Sequence, residues 1–411
     1  MSALPPRSGR SPRGASGPRH IVLLEPTAVG GLAAHVRQEE ALLESAGVRI
    51  TRPPVRIAPR PGPQDLATVR TLRRILRRPG SGIGAVHAHG LRAAALAGLA
   101  RGPRGRRPLL VVTLHNRIAG GAGVRIIGAA LLRIIRARAD AVLTVSPDLA
   151  TGLDGVPRVL HAIVPAPEPS APEPSASQPP ASEPPAPEAP AGRGTDPAPQ
   201  PAPSGTGPAP QPAPSARSGP AGLEVLVVAR LAPQKGLDVL LDAVRLLVDR
   251  RVDVQVRIAG DGPEQSALEA RIRAESLPVR LLGRREDVPA LLASCDLVVS
   301  AARWEGQPVF LQEALRAGRA IVATRAGGTE LVTGDAAALV PVEDPAALAD
   351  AIAAMADPSA RRRAAQASAR RARELPGAAE MSAQLLEVLG LGPAAGTPPR
   401  AAGTPMRDDA P

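Results

Sequence analysis

Glu224-Val225-Leu226-Val227-Val228-Ala229-Arg230-Leu231-Ala232-Pro233-Gln234-Lys235-Gly236 starts as an apolar run and ends in a short loop that carries two cations. The run 224–228 has the length and β-branched content of a strand covered on both faces. Residues 237–247 read as a helix that Lys235-Gly236 opens. A strand feeding a helix through a short loop is the unit of a parallel α/β sheet, and ligands of such sheets gather at the carboxyl ends of the strands. Lys235 is also the only lysine among 50 Lys plus Arg. A compact, mobile ammonium is not interchangeable with a planar guanidinium, so its place in an arginine-dominated chain marks this loop as a site.

The same unit repeats outward in both directions. Downstream, 254–259, 279–282, 297–300, 320–323 and 337–340 are short apolar strands separated by helical stretches. Upstream, 20–25 is an apolar strand, Gly30-Gly31 a glycine turn and residues from about 32 to 46 a helix. Further strands follow at 84–89, 108–113 and 139–146. Between the two series, residues 165–220 hold 20 of the 49 prolines, and Pro-Ala-Pro-Gln-Pro-Ala-Pro-Ser occurs there twice. No core can form from such a stretch, and proline favours extended polyproline II. The expectation is two Rossmann-like, doubly wound parallel-sheet domains, 20–164 and 222–391, facing a central cleft. A disordered basic tail (1–19), a disordered Pro/Ala-rich linker (165–221) and a disordered tail (392–411) complete the expected organisation.

Composition narrows the function. One cysteine, Cys295, rules out an internal disulfide framework and suits a reducing compartment; its surroundings suggest a buried small residue before a strand. No apolar run reaches the roughly 18 residues of a membrane span, and the first 19 residues lack an apolar signal core, so a cytoplasmic protein is expected. Residues 1–164 carry a net charge of +17 and the remainder −5. A basic first half attracts anionic lipid or phosphorylated substrates. Nucleic acid is disfavoured, since that half has no Phe, Tyr or Trp for stacking on bases. Residues 65–80 predict an amphipathic helix, with Leu66, Val69, Leu72 and Leu76 beside Arg70, Arg73, Arg74, Arg77 and Arg78, which makes it a candidate for docking on anionic headgroups at the inner membrane face.

Three segments carry chemistry. Arg230 and Lys235 bracket a strand-to-helix loop where helix N–H groups add donors, an arrangement suited to a diphosphate. The loop is not a Walker A motif, because Gly-x4-Gly-Lys-Ser/Thr is absent. Gly260-Asp261-Gly262-Pro263 reads as a tight turn after a strand. Trp304-Glu305-Gly306-Gln307-Pro308-Val309-Phe310-Leu311-Gln312-Glu313-Ala314 holds the only Trp and the only Phe, and Pro308 can start a helix there. Glu305 in the loop and Glu313 in the helix can then approach one ligand, and a carboxylate accepts two hydroxyl hydrogen bonds of a ribose or hexose.

Arg230-x4-Lys235-Gly236, Gly260-Asp261-Gly262-Pro263, and Glu305-Gly306-x-Pro308-x4-Glu313-Ala314 followed by Gly318 and Gly327-Gly328 resemble the family-4 retaining glycosyltransferases of the GT-B fold. Gly30-Gly31, Ala88-His89-Gly90 and Thr113-Leu114-His115-Asn116 extend the likeness into the first half. The resemblance implies an acceptor-side first domain and a nucleotide-sugar donor domain after the linker. It implies that Arg230 and Lys235 hold the donor diphosphate and that Glu313 binds ribose. Glu305 would contact the donor sugar, helped by the Gly306 and Gln307 amides. Gly30 and Gly31 would approach the diphosphate, His115 would face the reacting sugar, and Gly283 and Arg284 would lie near the base. Departing charge falls on phosphate oxygens, where preorganised cations act, and in front-face transfer the leaving phosphate deprotonates the acceptor, so no enzymic nucleophile is required, unlike the paired carboxylates of glycosidases. The donor sugar nucleotide is a substrate, and no cofactor is expected. No metal is expected either, for want of an Asp-x-Asp motif or a His/Cys ligand set. Two departures, Ala301-Ala302-Arg303-Trp304 before Glu305 and Gln307 after Gly306, are expected to alter the sugar pocket. A phosphorylated or lipid-linked acceptor is expected, with a GT-B sugar-nucleotide epimerase and a non-catalytic sugar-nucleotide binder as the alternatives.

Overall fold

The computed structural model describes residues 19–25, 31–58, 61–104, 108–118, 121–166 and 222–392. Gly30, the expected tail up to residue 18, the linker from 167 to 221 and the tail from 393 lie outside them.

In the first domain, β1 (His20–Leu24), β2 (Arg49–Thr51), β3 (Ala85–His89), β4 (Leu109–Leu114), β5 (Ala141–Thr144) and β6 (Val159–His161) form a parallel sheet in the order β2-β1-β3-β4-β5-β6. Its helices are α1 (Gly31–Ser45), α2 (Gln64–Leu76), α3 (Leu91–Arg101) and α4 (Ala122–Arg138). In the second, β7 (Leu223–Val228), β8 (Val254–Ala259), β9 (Val279–Gly283), β10 (Leu297–Ser300), β11 (Ala320–Thr324) and β12 (Ala338–Val340) form a parallel sheet in the order β12-β11-β10-β7-β8-β9. Helices α5 (Leu237–Asp249), α6 (Gln265–Ala274), α7 (Val288–Ala293), α8 (Val309–Arg316), α9 (Thr329–Thr333), α10 (Pro345–Ala354), α11 (Pro358–Ala372) and α12 (Ala378–Val388) follow or interleave. Both domains are therefore Rossmann-like, as the alternation of strands and helices predicts.

The second sheet explains its own sequence. Side chains alternate across a strand, and here both faces are covered. Val225, Val227, Leu297 and Val299 enter a core with α5 and α10, while Leu226, Val298 and Ile321 enter another with α7 and α8. An amphipathic strand would fail here, so the strands read as unbroken apolar runs. The strand order reverses between β7 and β10, and between β1 and β3 in the first sheet. At such switch points the loops leave in opposite directions and open a crevice at the strands' carboxyl ends. The loops after β7 and β10 carry Arg230–Lys235 and Ala301–Gly306, which is why these distant stretches meet.

Three features depart from the sequence reading. Edge strands β2 and β6 are three residues each and half-exposed, too short for a periodic signal. On α2, Val69 and Leu72 face the core but Leu66 is 60% exposed, so it does not belong to the buried stripe. Met381, Leu385, Leu386 and Val388 of α12, with Leu389 and Leu391, pack in the core of the first domain, not the second. The chain thus crosses between domains twice.

Candidate functional site

Lys235 ends a short 3-10 turn after β7, and Gly236 caps α5 in the left-handed region, φ +59°. A Cβ at Gly236 would overlap the Ala301 carbonyl oxygen. Glycine thus lets the β7 loop lie against the β10 loop, and across that contact Lys235 Nζ donates to Glu305 Oε1 at 2.6 Å. Glu305 is buried, at 9% exposure. Arg230 is exposed and makes no hydrogen bond or ion pair among the described residues. One cation is thus tethered to the carboxylate while the other is free to engage an anion. Leu231 N donates to Asp261 O at 2.7 Å and Glu264 N to Leu231 O at 3.0 Å, so the Gly260–Gly262 turn acts as a brace for the Arg230 loop.

The Glu305 loop is shaped from the other side by Gly327-Gly328. A Cβ on Gly327 would overlap the Glu305 carbonyl oxygen, one on Gly328 would overlap that of Gly306, and Gly328 N donates to Glu305 O at 2.9 Å. Eight residues along, Glu313 is half-buried on α8; burial raises its carboxyl above the ordinary value, opposed by Arg316. It has no hydrogen-bond partner among the described residues, so both oxygens can accept from hydroxyls. Gly283 closes β9, where its carbonyl accepts from Gly260 N at 2.8 Å, and Arg284 beside it is exposed. Cys295 is buried, donates to Leu292 O at 3.3 Å, and has its thiol pushed up to about 11 by burial, the state of a packing residue.

Gln307 is placed differently from the reading that has it reshape a sugar pocket. Its side-chain oxygen accepts from Val164 N at 3.1 Å and its amide nitrogen donates to Ala162 O. Gln312, which nothing in the sequence marks, accepts from Ala166 N at 2.9 Å and donates to Val164 O at 2.8 Å. Arg316 adds a bond to Ala166 O at 2.8 Å. Together they fasten residues 162–166, the exit of the first domain, to α8 and the loop before it.

In the first domain, Gly31 begins α1. His115 follows β4, and its Nε2 stands 2.9 Å from His89 Nδ1, with the two rings stacked. His87 and His89, two apart on β3, share a face of the sheet. His35 and Glu39, four apart on α1, face them: His87 Nδ1 lies against Glu39 Oε1, His89 Nε2 is 3.6 Å from the same oxygen, and His35 Nε2 is 3.7 Å from Oε2. Burial lowers His35 to about 4 and also lowers His89 and His115. Burial alone would raise Glu39, but His87 and His89 outweigh it and hold the carboxyl well below its usual range. Four histidines and a glutamate thus converge, which corrects the expectation that the chain lacks a histidine ligand set. Their spacing was visible; that α1, β3 and the β4 loop bring them together was not.

The two groups of loops are joined through Asp148, just after β5. Its Oδ2 accepts from Trp304 Nε1 at 2.9 Å and lies 3.4 Å from Arg117 Nε, two residues beyond His115. Val145, also just after β5, packs against Gly306. Asp148 was not singled out from the sequence, although its place at a strand's carboxyl end gave a hint.

Comparison with known proteins matches residues 25–163 to the domain described as Glycosyltransferase Family 4 and residues 222–357 to Glycosyl transferases group 1. The chain is similar to the putative colanic acid biosynthesis glycosyltransferase WcaL of Escherichia coli K12, 36% identical over 32% of this chain and 36% of that protein. It is also similar to the GDP-mannose-dependent alpha-(1-6)-phosphatidylinositol dimannoside mannosyltransferase of Mycobacterium tuberculosis, 31% identical over 42% of this chain and 45% of that protein. These matches span less than half the length of either relative. Among solved structures, Anabaena HepE in complex with UDP and glucose aligns over 90% of this chain and 99% of its own, with a TM-score of 0.60 and 18% identity. At that identity the likeness speaks to the fold.

Proposed function

The chain belongs to the family-4 glycosyltransferases of the GT-B fold, and from that premise we propose that it moves a hexose from a nucleotide-diphosphate sugar to an acceptor hydroxyl with retention. The observation that carries this reading is the Lys235–Glu305 pair at the β7/β10 switch point, with Arg230 beside it. In this reading Arg230 and Lys235 take up the charge that develops on the departing diphosphate, where preorganised cations act most strongly. Glu305 holds the donor sugar through its hydroxyls while its bond to Lys235 fixes the carboxylate, and the Gly306 and Gln307 amides lie beside it. Glu313 accepts from the ribose, Gly283 and Arg284 flank the base, and Gly30 and Gly31 approach the diphosphate from the first domain. His115, kept neutral by burial, accepts from or donates to the reacting sugar without adding charge. The leaving phosphate takes the acceptor's proton, so the reaction asks for neither an enzymic nucleophile nor a cofactor, and the two cations stand where other enzymes use a metal.

The names of the relatives support a nucleotide donor and an envelope glycoconjugate acceptor. We place a phosphorylated or lipid-linked acceptor against the basic first domain, at the inner membrane face of a cytoplasmic enzyme. Leu66, Val124, Ile126 and Ile127 are exposed there, Ile126 by 70%, and Arg70, Arg74, Arg77 and Arg78 line a groove on α2. No helix among the described residues is long and apolar enough to cross a membrane.

Lys235→Ala and Glu305→Ala each lower transfer by roughly 10²–10³-fold or more while circular dichroism stays that of the folded protein; transfer at the wild-type rate in either variant overturns the assignment. Thermal-shift measurement against UDP-, GDP- and ADP-sugars identifies the donor, because binding raises apparent stability. An epimerase would release nucleotide without an acceptor, and a binder would release none with one.

A further inference from the structure

We propose that His35, His89 and His115 form a divalent-cation site of the kind zinc occupies, with Glu39 holding two of the three imidazoles from behind. The donor-site reading uses neither His35, His89 nor Glu39; the two sites share His115 alone.

The ligand atoms of the three histidines lie within 4.8 Å of one another. His89 Nδ1 and His115 Nε2 are 2.9 Å apart. Two nitrogens bound to zinc at about 2.0–2.1 Å and a tetrahedral angle stand about 3.3 Å apart, so these rings need to part by a few tenths of an ångström and turn their facing nitrogens toward one ion. The far side of the cluster fits as well. His35 and His89 each turn Nε2 toward a different oxygen of Glu39, at 3.7 and 3.6 Å, which leaves each Nδ1 for the ion. A ligating histidine whose other nitrogen faces a carboxylate is the usual arrangement around bound metals, since the carboxylate fixes the tautomer and raises ligand basicity.

Two further observations point to a cation. His35 Nδ1, both oxygens of Glu39 and His89 Nε2 are buried and have no partner in hydrogen-bonding geometry. Glu39 is 1% exposed, and its ion pairs among the described residues are with histidines alone. A buried carboxylate needs a countercharge, and the imidazoles around Glu39 can supply one by carrying protons or by holding a dication. The second convergent set, Glu39, His87 and His89, meets His89 at its other nitrogen, so filling both would need His89 to bridge two ions as an imidazolate. His87 Nε2 is taken by Thr113 Oγ1 at 2.8 Å, which makes His87 a support for Glu39. Three imidazoles with no thiolate favour Zn²⁺, Co²⁺ or Ni²⁺ over Mg²⁺ or Ca²⁺ and leave a fourth position open on the His115 side, the least buried of the three.

The test uses the full chain, stripped with EDTA, freed of chelator and titrated by calorimetry with ZnCl₂ alone, with CoCl₂ as a spectroscopic probe. Expected are about one equivalent bound per chain, a higher melting temperature and the visible bands of a low-symmetry cobalt site. His35→Ala loses that site, and Glu39→Gln weakens it by about 10–100-fold at unchanged stoichiometry. Removing a buried imidazole can unfold a domain, so His115→Ala, half-buried at a strand end, is the second variant, with folding checked by circular dichroism. Lys235→Ala binds zinc as the wild type does, which separates this result from the fate of the transfer reaction. Failure of the stripped wild-type chain to take up zinc or cobalt overturns the proposal and leaves a hydrogen-bonded histidine chain. Binding unchanged in both His35→Ala and His115→Ala overturns it too.

Discussion

At the scale of the residue, Glu313 sets stability against binding. Burial raises its carboxyl, so the folded protein carries an ionised group that it disfavours at neutral pH. Glu313→Gln removes that burden. The sign follows from linkage: stability gained by the glutamine is present above the raised folded value and vanishes below the ordinary carboxylate value, where both proteins are neutral. The variant therefore melts about one to a few degrees higher at pH 7, shows no gain near pH 3, and binds donor more weakly, as calorimetry and thermal melts will measure. Single residues were legible unevenly. Lys235 stood out by rarity, and the structure gives it a partner, Glu305. Gln307 stood out as a departure, but its side chain grips Ala162 and Val164. Glu39 was hidden because its meaning depends on residues 48 and 50 positions away, in His87 and His89.

At the scale of the element, the central strands were legible because burial on both faces leaves unbroken apolar runs, as in Val225–Val228 and Leu297–Val299. Strands β2 and β6 were not, since three half-exposed residues at a sheet edge carry no period. Helix α2 shows the limit of a spacing argument: Val69 and Leu72 are buried, while Leu66 at the same spacing faces out beside the arginines. That outward leucine and the basic groove make α2 a membrane contact in the proposed function. Each arginine near an anionic surface contributes about 1 kcal/mol, so reversing Arg70, Arg74 and Arg77 to glutamate weakens binding to phosphatidylserine vesicles by roughly 100-fold or more. Co-sedimentation measures this, and 0.5 M salt should abolish the wild-type binding; equal binding by the reversed helix would remove α2 from the contact.

At the scale of the molecule, the sequence announced two α/β halves and a proline-rich stretch between them, but not that α12 returns to the first. Its apolar residues have the same period whichever core they enter, so only the fold assigns them. Leu385 is 2% exposed within the first core. Leu385→Ala removes side-chain volume there and costs about 2–5 kcal/mol. Its effect appears as earlier exchange of amide hydrogens in β1 and α1, some 350 positions away along the chain, while β8 and β10 keep their protection.

The return of α12 also decides what holds the halves together. Gln307, Gln312, Arg316 and Gln384 bond the segment 161–166, and α12 is seated beside α1. Cutting the peptide backbone between them therefore need not release either piece. Two polypeptides divided between residues 193 and 194 should migrate as one particle under native conditions and separate only in denaturant. Co-expressed, they should find each other, with α12 serving as the latch.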